Sequence, residues 1–218
     1  MDRDIIMSED GSHTMYAPDM GEHYHSIHGA ARESAHLFIK ECLLFSNRQD
    51  PVIFEIGFGT GLNALLTARA ALEHGLSVTY YSIEKYPLGR EEWTKLNHGE
   101  VVPESIRPFF NRIHEAGWGS MQEIHPGFRL FKICSDLVSY TFDIKPDLVF
   151  FDAFSPDAQP ELWNREIFER LYEAMRPGGI LTTYSVKGSV RRSLSSCGYQ
   201  VEKIKGPPGK REMVRAVK

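Results

Sequence analysis

Short apolar runs, rich in β-branched and aromatic residues, alternate with stretches of helical pattern along most of the chain. Five of these runs predict strands, at residues 52–56, 78–84, 128–134, 147–151 and 180–184. The predicted helices occupy residues 62–72, 88–96, 104–116, 161–175 and 189–196. Strands that alternate with helices predict a parallel sheet with helices on both faces.

The end of the chain departs from this alternation. Residues 199–204 and 212–217 flank the turn sequence Gly206-Pro207-Pro208-Gly209, which predicts an antiparallel hairpin. The whole pattern therefore predicts an α/β fold whose mostly parallel, seven-stranded sheet ends in an antiparallel hairpin.

Length and composition fit an ordinary globular protein. The 218 residues are enough for one full hydrophobic core, so we expect a single domain over residues 1–218. The sequence contains no run of about 18 apolar residues, so no membrane span is predicted. The N-terminal residues lack the pattern of a signal peptide, and the three cysteines form no C-x-x-C pair. Both features indicate a cytoplasmic protein with reduced thiols.

A glycine-rich turn follows the first predicted strand, in the sequence PVIFEIGFGTG at residues 51–61. Gly57, Gly59 and Gly61 stand at alternate positions, just before a predicted helix. A buried strand that ends in such a turn is typical of nucleotide-binding α/β sheets, because glycine lets a ligand approach the main chain. A glycine turn in some other α/β protein is the alternative.

The spacing of the glycines restricts the class of ligand that the turn can bind. A dinucleotide fingerprint requires a glycine where Leu62 stands, and a phosphate-binding loop requires a Lys followed by Ser or Thr. The acid before the turn, Glu55, would repel a pyrophosphate but suits a ligand that carries an ammonium or sulfonium charge. S-Adenosylmethionine is such a ligand, and the acid-x-G-x-G-x-G pattern resembles the first motif of class I methyltransferases.

Three further acids follow predicted strands. Glu84 ends the second strand about twenty residues after the glycines, where an acid accepts hydrogen bonds from ribose hydroxyls. Asp136 follows the third strand and is predicted to accept from the adenine amino group. Asp152 ends the fourth strand. Each acid taken alone is also compatible with a surface acid or a helix cap.

The segment FDAFSPDAQPELW, residues 151–163, resembles the acid-or-amide loop of amino-group methyltransferases. We expect Asp152 to orient the amine and accept its proton, and Phe154 to stack on a base. Packing of Phe154 in the core is the alternative.

Positive charge is concentrated near the end of the chain. The net charge is −4, yet residues 176–218 hold ten Lys and Arg against two Glu. A basic segment on an acidic body predicts contact with a polyanion, whereas a solvated tail is the alternative.

Several segments together resemble the MnmC-like family, the methyltransferase domain of the bifunctional protein that makes 5-methylaminomethyl-2-thiouridine in tRNA. They are FEIGFGTGLN, YSIEKYPL, PGFRL, FFDAFSPDAQPELW, PGGILTTYSVKGSVRR and KREM, in this order. The resemblance extends from about Tyr24 onward. It implies a Rossmann-like class I fold and methylation of the aminomethyl nitrogen of the wobble uridine with S-adenosylmethionine.

The resemblance also implies roles for particular residues. Asp152 is the catalytic residue, and Asn63 and Lys85 join the residues that bind the cofactor. The tRNA anticodon loop is the implied partner of a basic group that comprises Lys187, Arg191, Arg192, Lys210 and Arg211. The bifunctional protein also has a flavin-dependent oxidoreductase domain, for which these 218 residues contain no second dinucleotide motif. We therefore expect a separate oxidoreductase to supply the aminomethyl substrate.

The N-terminal residues 1–48 are expected to form a lid and a helical extension that begins at about Ala30. Tyr24 is predicted to close over the cofactor. The nearby His25 and His28 lack a carboxylate or Cys at the spacing of a metal site, so no metal is predicted. Two other functions stay open: a small-molecule amine methyltransferase, and a non-catalytic module that binds the cofactor and RNA.

Overall fold

Eleven strands and six α-helices follow one another in residues 3–218, the part of the chain that this computed structural model describes. The strands are β1 (Asp4–Met7), β2 (His13–Ala17), β3 (Glu22–His23), β4 (Val52–Ile56), β5 (Val78–Glu84), β6 (Met121–His125), β7 (Phe128–Cys134), β8 (Leu148–Phe151), β9 (Ile180–Thr183), β10 (Gln200–Lys205) and β11 (Glu212–Val217). The helices are α1 (Ala30–Ser34), α2 (Leu62–His74), α3 (Arg90–Trp93), α4 (Arg107–Glu115), α5 (Arg165–Ala174) and α6 (Gly188–Ser196).

The main sheet has eight strands in the order β10-β11-β9-β8-β4-β5-β7-β6. Strands β7, β5, β4, β8 and β9 are parallel, and β11 is antiparallel to both β9 and β10. The predicted α/β Rossmann-like class with a terminal antiparallel hairpin is confirmed.

The sheet has one strand more than the seven predicted, because β6 adds an antiparallel edge to β7. The residues of β6, MQEIH, are largely polar and partly exposed, so they lack the apolar run that identified the other strands. The Pro126-Gly127 turn between β6 and β7 is the signal that a sequence reading can use here.

The central strands are buried on both faces. In β8, Leu148 and Phe150 face the cluster that includes helix α2, whereas Val149 and Phe151 face the cluster that includes α5 and α6. A strand covered on both sides is a continuous apolar run rather than an alternating one, which explains the sequence pattern. Each large side chain buried in this way contributes roughly 1.5–3 kcal/mol to folding.

Three predicted helices are shorter than expected, and α4 spans Arg107–Glu115 instead of residues 104–116. Helix α3 ends at Trp93, and its first turn is closed by Glu92, whose carboxylate accepts the Gly89 N–H at 2.7 Å. Helix α5 starts only after Asn164, whose side chain accepts the Ile167 N–H at 3.0 Å. Pro160–Leu162 form a separate 3₁₀ turn before it.

The N-terminal segment forms a three-stranded antiparallel sheet, β1-β2-β3, which the sequence reading missed. The helix that follows begins at Ala30, as predicted, and continues from α1 with π-helical hydrogen bonding over Ala35–Leu44. Residues 1 and 2 of the predicted lid lie outside the described residues. Within residues 3–218, no helix is both long and apolar enough to cross a membrane.

Lys132 is a charged residue inside the core, with 1% of its surface exposed. Its ammonium donates to the carbonyl oxygen of His114 at 2.8 Å and lies 4.8 Å from the ring centroid of Trp118. It also lies 5.2 Å from the ring centroid of Phe58, the side chain between the first two glycines of the turn. Burial lowers the pKa of Lys132 from 10.5 to about 8.

Replacing Lys132 by methionine is expected to change how stability depends on pH. Because the pKa is lower in the folded state, the wild-type protein gains stability as pH rises from 8 to 10.5. The wild type should therefore gain about 2–3 kcal/mol of unfolding free energy between pH 7 and pH 10 that Lys132→Met does not gain. Urea unfolding at both pH values measures this change. The exposed Lys145→Met is the control, and parallel pH dependences for wild type and Lys132→Met would contradict the prediction.

Candidate active site

The turn between β4 and α2 brings the main chain close to its neighbours. Gly57, Gly59 and Gly61 have φ of 89°, 49° and 71°, values that favour glycine. A Cβ at Gly57 would lie 2.7 Å from the carbonyl oxygen of Asp152, and one at Gly59 would lie 3.0 Å from Cδ1 of Tyr24. Gly57 therefore has no room for a side chain, whereas one at Gly59 would require the Tyr24 ring to shift, and both glycines line the main pocket.

Glu84 at the end of β5 fixes this turn. Its carboxylate accepts the Gly59 N–H at 3.1 Å and the Tyr86 N–H at 2.8 Å. The side chain also lines the pocket, at the carboxyl end of the strand next to β4. The predicted contact of Glu84 with ribose hydroxyls stays a prediction.

Lys85 and Asp136 form an ion pair at the rim of the same pocket. Lys85 Nζ donates to Asp136 Oδ2 at 2.8 Å, and the Val138 N–H donates to the other carboxylate oxygen at 2.9 Å. The bond from Lys85 is the main cause that lowers the pKa of Asp136 below its usual value. Asp136 is therefore a charged acceptor at neutral pH, and its charge is paired with that of Lys85.

The pocket lies at the carboxyl ends of β4, β5, β7 and β8. Apolar walls are supplied by a group that comprises Ile56, Ile83, Leu137, Ala153 and Leu162. Five acids line it, Asp19, Glu84, Asp136, Asp152 and Glu161, against the two bases Arg3 and Lys85. An excess of negative charge suits a cationic ligand better than a phosphate.

The N-terminal sheet closes the pocket on one side. Residues 17–20, in the turn between β2 and β3, belong to its lining, as does Tyr24. The ring of Tyr24 meets that of Phe154 edge-on, with their centroids 5.0 Å apart. The N-terminal segment thus contacts the loop that carries Asp152. Tyr24 and Phe154, the two aromatic residues predicted for the site, both line the pocket.

Asp152 follows β8 and is nearly buried, with 9% of its side chain exposed. Burial raises the pKa of its carboxyl to about 7, although the Asn63 amide, which donates to Oδ2 at 2.7 Å, opposes that shift. His25 Nδ1 lies 4.0 Å from the same oxygen. Since burial lowers the pKa of His25 to about 4, the imidazole is neutral and the two groups form no ion pair at pH 7.

Three residues predicted to bind the cofactor do not line the pocket: Glu55, Gly61 and Asn63. Glu55 is fully buried beneath the turn, where the Ser82 hydroxyl donates to it, and burial raises its pKa to about 8. Its side chain points from β4 into the core and does not reach the pocket, so the predicted contact of Glu55 with the cofactor is wrong. Asn63 acts through its hydrogen bond to Asp152 instead.

Four residues that the sequence reading missed hold the loop after β8. Glu22 accepts the Ser155 N–H at 2.9 Å, and Gln159 accepts the Phe154 N–H at 3.1 Å. The Trp163 indole donates to the carbonyl of Phe154 at 2.7 Å, and the Tyr184 hydroxyl donates to that of Ala153 at 2.9 Å. Gln159 and Trp163 belong to the motif at residues 151–163, whereas Glu22 and Tyr184 come from distant segments.

The predicted basic residues differ in their surroundings. Lys187 is ion-paired with Asp157 of the loop after β8, and Lys210 lies 2.8 Å from Glu33 of α1. Arg192 and Arg211 are exposed, and the guanidinium of Arg191 donates to the carbonyl of Val186 at 3.3 Å. Across the described residues 3–218, no group of three or more His, Cys, Asp or Glu is arranged to hold a metal ion.

Comparison with known proteins identifies similar sequences. Residues 128–218 match the family model of an S-adenosyl-L-methionine-dependent methyltransferase. The tRNA 5-methylaminomethyl-2-thiouridine biosynthesis bifunctional protein MnmC of Leptospira interrogans is 33% identical over 212 residues, which cover 88% of this chain and 32% of that protein. The corresponding protein of Cupriavidus metallidurans is 31% identical, over 97% of this chain and 33% of that protein. The chain thus spans about a third of the length of these relatives.

Solved structures show the same similarity. MnmC2 from Aquifex aeolicus superposes with a TM-score of 0.83 and 28% identity, over 99% of this chain and 70% of that one. Spermidine synthase from Thermotoga maritima, at 14% identity and a TM-score of 0.61, shares the fold.

Fold, pocket and family model together define a Rossmann-like methyltransferase domain that depends on S-adenosylmethionine. The residues at the pocket fit this cofactor, which is a cationic nucleoside. The glycines allow close approach to the main chain, the apolar walls pack against the nucleoside, and the excess of acids favours its positive charge. Within this class, the chain is an MnmC-like methyltransferase domain.

Proposed function

We propose that this domain methylates the aminomethyl nitrogen of the wobble uridine in tRNA and so forms 5-methylaminomethyl-2-thiouridine. The observation that carries the proposal is Asp152, a nearly buried carboxyl with a pKa raised to about 7, which lines an acid-rich pocket. The MnmC relatives, whose names describe biosynthesis of this nucleoside, support the choice of substrate.

S-Adenosylmethionine supplies the methyl group from its sulfonium when it is bound. In the proposed arrangement, Gly57 and Gly59 admit its methionine part close to the main chain. Glu84 accepts from the ribose hydroxyls, and Asp136 accepts from the adenine amino group. Tyr24 covers the pocket from the N-terminal side, and Lys85 acts by holding Asp136.

Asp152 has two proposed tasks. Its carboxylate accepts a hydrogen bond from the substrate amine and so directs the nitrogen lone pair at the methyl group, which contributes through positioning. It then receives the proton that the nitrogen loses, and its raised pKa suits this exchange near neutral pH. Phe154, beside it in the pocket, offers a face on which the uracil ring stacks.

The domain is proposed to work as one unit, with residues up to 48 as lid and helical extension. We propose that it acts in the cytoplasm on the tRNA anticodon loop and receives an aminomethyl group made by a separate oxidoreductase. The target base lies in a loop, so little unpairing is needed to bring it to Asp152.

Mass spectrometry of wobble nucleosides from cells that lack the protein tests this function. Aminomethyl-uridine should accumulate, and wild-type protein should convert it to the methylated form, whereas Asp152→Ala should not. An unchanged nucleoside profile in the deleted strain would refute the proposed substrate.

Binding of tRNA is expected to weaken steeply with salt. Each phosphate neutralised in a single-stranded contact contributes a slope of about −0.7 to the plot of log affinity against log salt. Replacing Arg191 and Arg192 of α6 by Gln should therefore flatten the slope by roughly one unit and leave S-adenosylhomocysteine affinity unchanged.

A matched control is Arg107→Gln with Lys95→Gln, which removes the same charge from exposed positions in α4 and before it. Helix α4 packs beside β6, at the sheet edge opposite to β10 and α6. Equal slopes for both double variants would argue against a specific basic surface on α6.

A further inference from the structure

A partly buried ion pair lies near the loop that carries Asp152. Lys210 Nζ and Glu33 Oε1 are 2.8 Å apart, and 32% and 15% of their side chains are exposed. Glu33 belongs to α1 and Lys210 to the turn between β10 and β11, so the pair joins segments far apart in the chain. A lysine that is paired with a neighbouring acid is a poor phosphate ligand, which separates Lys210 from the arginines of the predicted basic group.

Lys210 also contacts the wall of the active site. Its ammonium lies 4.8 Å from the ring centroid of Tyr184, within the range of a cation–π interaction. The hydroxyl of the same tyrosine donates at 2.9 Å to the carbonyl of Ala153, the residue after Asp152. A continuous series of contacts therefore runs from Glu33 through Lys210 and Tyr184 to the main chain beside Asp152.

We propose that Glu33 and Lys210 are a positioning pair for Asp152. The pair holds Tyr184 against the loop and balances the charge around the Asp152 carboxyl. The proposal rests on the proposed function only where it takes Asp152 as the proton acceptor. It adds two residues, neither of which lines the cofactor pocket, to the machinery of the reaction.

Electrostatics support this assignment. Glu33 raises the pKa of Asp152 and Lys210 lowers it, so the two charges act on the same carboxyl in opposite directions. The other titratable groups that face Asp152 are His25, Glu55, Tyr80 and Tyr184. Burial keeps the His25 imidazole neutral at pH 7 and raises the pKa of Glu55 to about 8. Both phenols are neutral at pH 7, and burial raises their pKa further. Glu22, whose charge also acts on Tyr184, accepts the Ser155 N–H.

The test is a carbon-detected NMR titration of the Asp152 carboxyl in the full chain, with the signal assigned through Asp152→Asn. Glu33→Gln is expected to move the titration midpoint down, and Lys210→Met to move it up, each by roughly half a pH unit. The double variant should titrate close to wild type, because the two changes cancel. Lys210→Arg should also stay close to wild type, since it keeps the charge over the Tyr184 ring.

The methylation rate of aminomethyl-uridine tRNA gives a second readout. At pH 6, Glu33→Gln should be about threefold faster than wild type and Lys210→Met about threefold slower, in proportion to the ionised fraction of Asp152. S-Adenosylhomocysteine affinity should not change. A purely structural role would instead slow both variants alike.

The outcomes separate this inference from the proposed function. Midpoints that stay at the wild-type value in both single variants, or that move in the same direction, would overturn the positioning pair. If the midpoints move in opposite directions while wild-type protein leaves aminomethyl-uridine tRNA unmethylated, the pair stands and the proposed substrate is wrong.

Discussion

Replacing Asp152 by alanine is expected to slow methyl transfer by roughly 10²–10⁴-fold, the range for loss of a positioned general base. Cofactor binding should persist, because the glycine turn and Glu84 do not depend on the Asp152 carboxyl for their hydrogen bonds. Single-turnover methylation of aminomethyl-uridine tRNA measures the rate, and calorimetry with S-adenosylhomocysteine measures the affinity. The exposed Asp143→Asn serves as control. Native turnover in Asp152→Ala would show that the residue is structural.

Asp152→Asn separates the two proposed tasks of the side chain. The amide oxygen still accepts a hydrogen bond from the amine but takes up no proton. A mild loss would therefore indicate that orientation dominates, and a loss as severe as that of alanine would indicate that proton acceptance dominates.

The wild-type rate should also fall with pH below about 7, where the Asp152 carboxyl becomes protonated. The expected decline approaches tenfold per pH unit on the acid side. Asp152→Asn should lose this acid limb, since its amide does not titrate. An unchanged limb in that variant would assign the titration to another group.

Replacing Gly57 by alanine is expected to weaken S-adenosylhomocysteine binding by roughly 30-fold or more, equivalent to about 2 kcal/mol. The added Cβ would lie 2.7 Å from the carbonyl oxygen of Asp152, and the backbone φ of 89° is unfavourable for any residue with a side chain. Relief of this contact must displace either the turn or the main chain beside Asp152. Isothermal titration calorimetry measures the affinity.

Gly75→Ala is the matched control for this prediction. Gly75 has a positive φ of 65° at the end of α2, but a Cβ there would meet no atom within 4 Å. Both variants should lose stability from backbone strain, and only Gly57→Ala should lose cofactor affinity. Equal affinities in the two variants would contradict the proposed role of the turn.

Much of the sheet was predictable because its strands are buried on both faces. Strands β4, β8 and β9 are continuous runs of mostly buried, apolar residues, and the predicted bounds of 52–56, 147–151 and 180–184 agree with them to within one residue. The predicted bounds of 78–84, 128–134 and 212–217 agree with β5, β7 and β11. Strands β1, β2, β3 and β6 were missed, since they are short or lie at sheet edges where polar residues interrupt the pattern. Their identity depends on pairing with a neighbour, which local sequence does not encode.

The candidate site divides in the same way. Glycines and acids at strand ends are visible because parallel strands bring their carboxyl ends to one edge, so Gly57, Glu84, Asp136 and Asp152 meet at the pocket. Glu55 belongs to the same motif, yet its position in β4 turns the side chain into the core. Strand alternation decides this direction, and one residue of register changes the face.

The sequence by itself determined the class of fold, the glycine turn and the acid that ends each central strand, because these features depend on local backbone geometry and on burial. Only the tertiary structure decided which distant groups control Asp152. Asn63, Tyr184, Glu33 and Lys210 come from four different segments, and the contacts that connect them to one another and to residues 152 and 153 arise only on folding. Burial in that setting raises the pKa of Asp152 toward neutrality, since desolvation acts on a carboxyl only once the chain has closed around it.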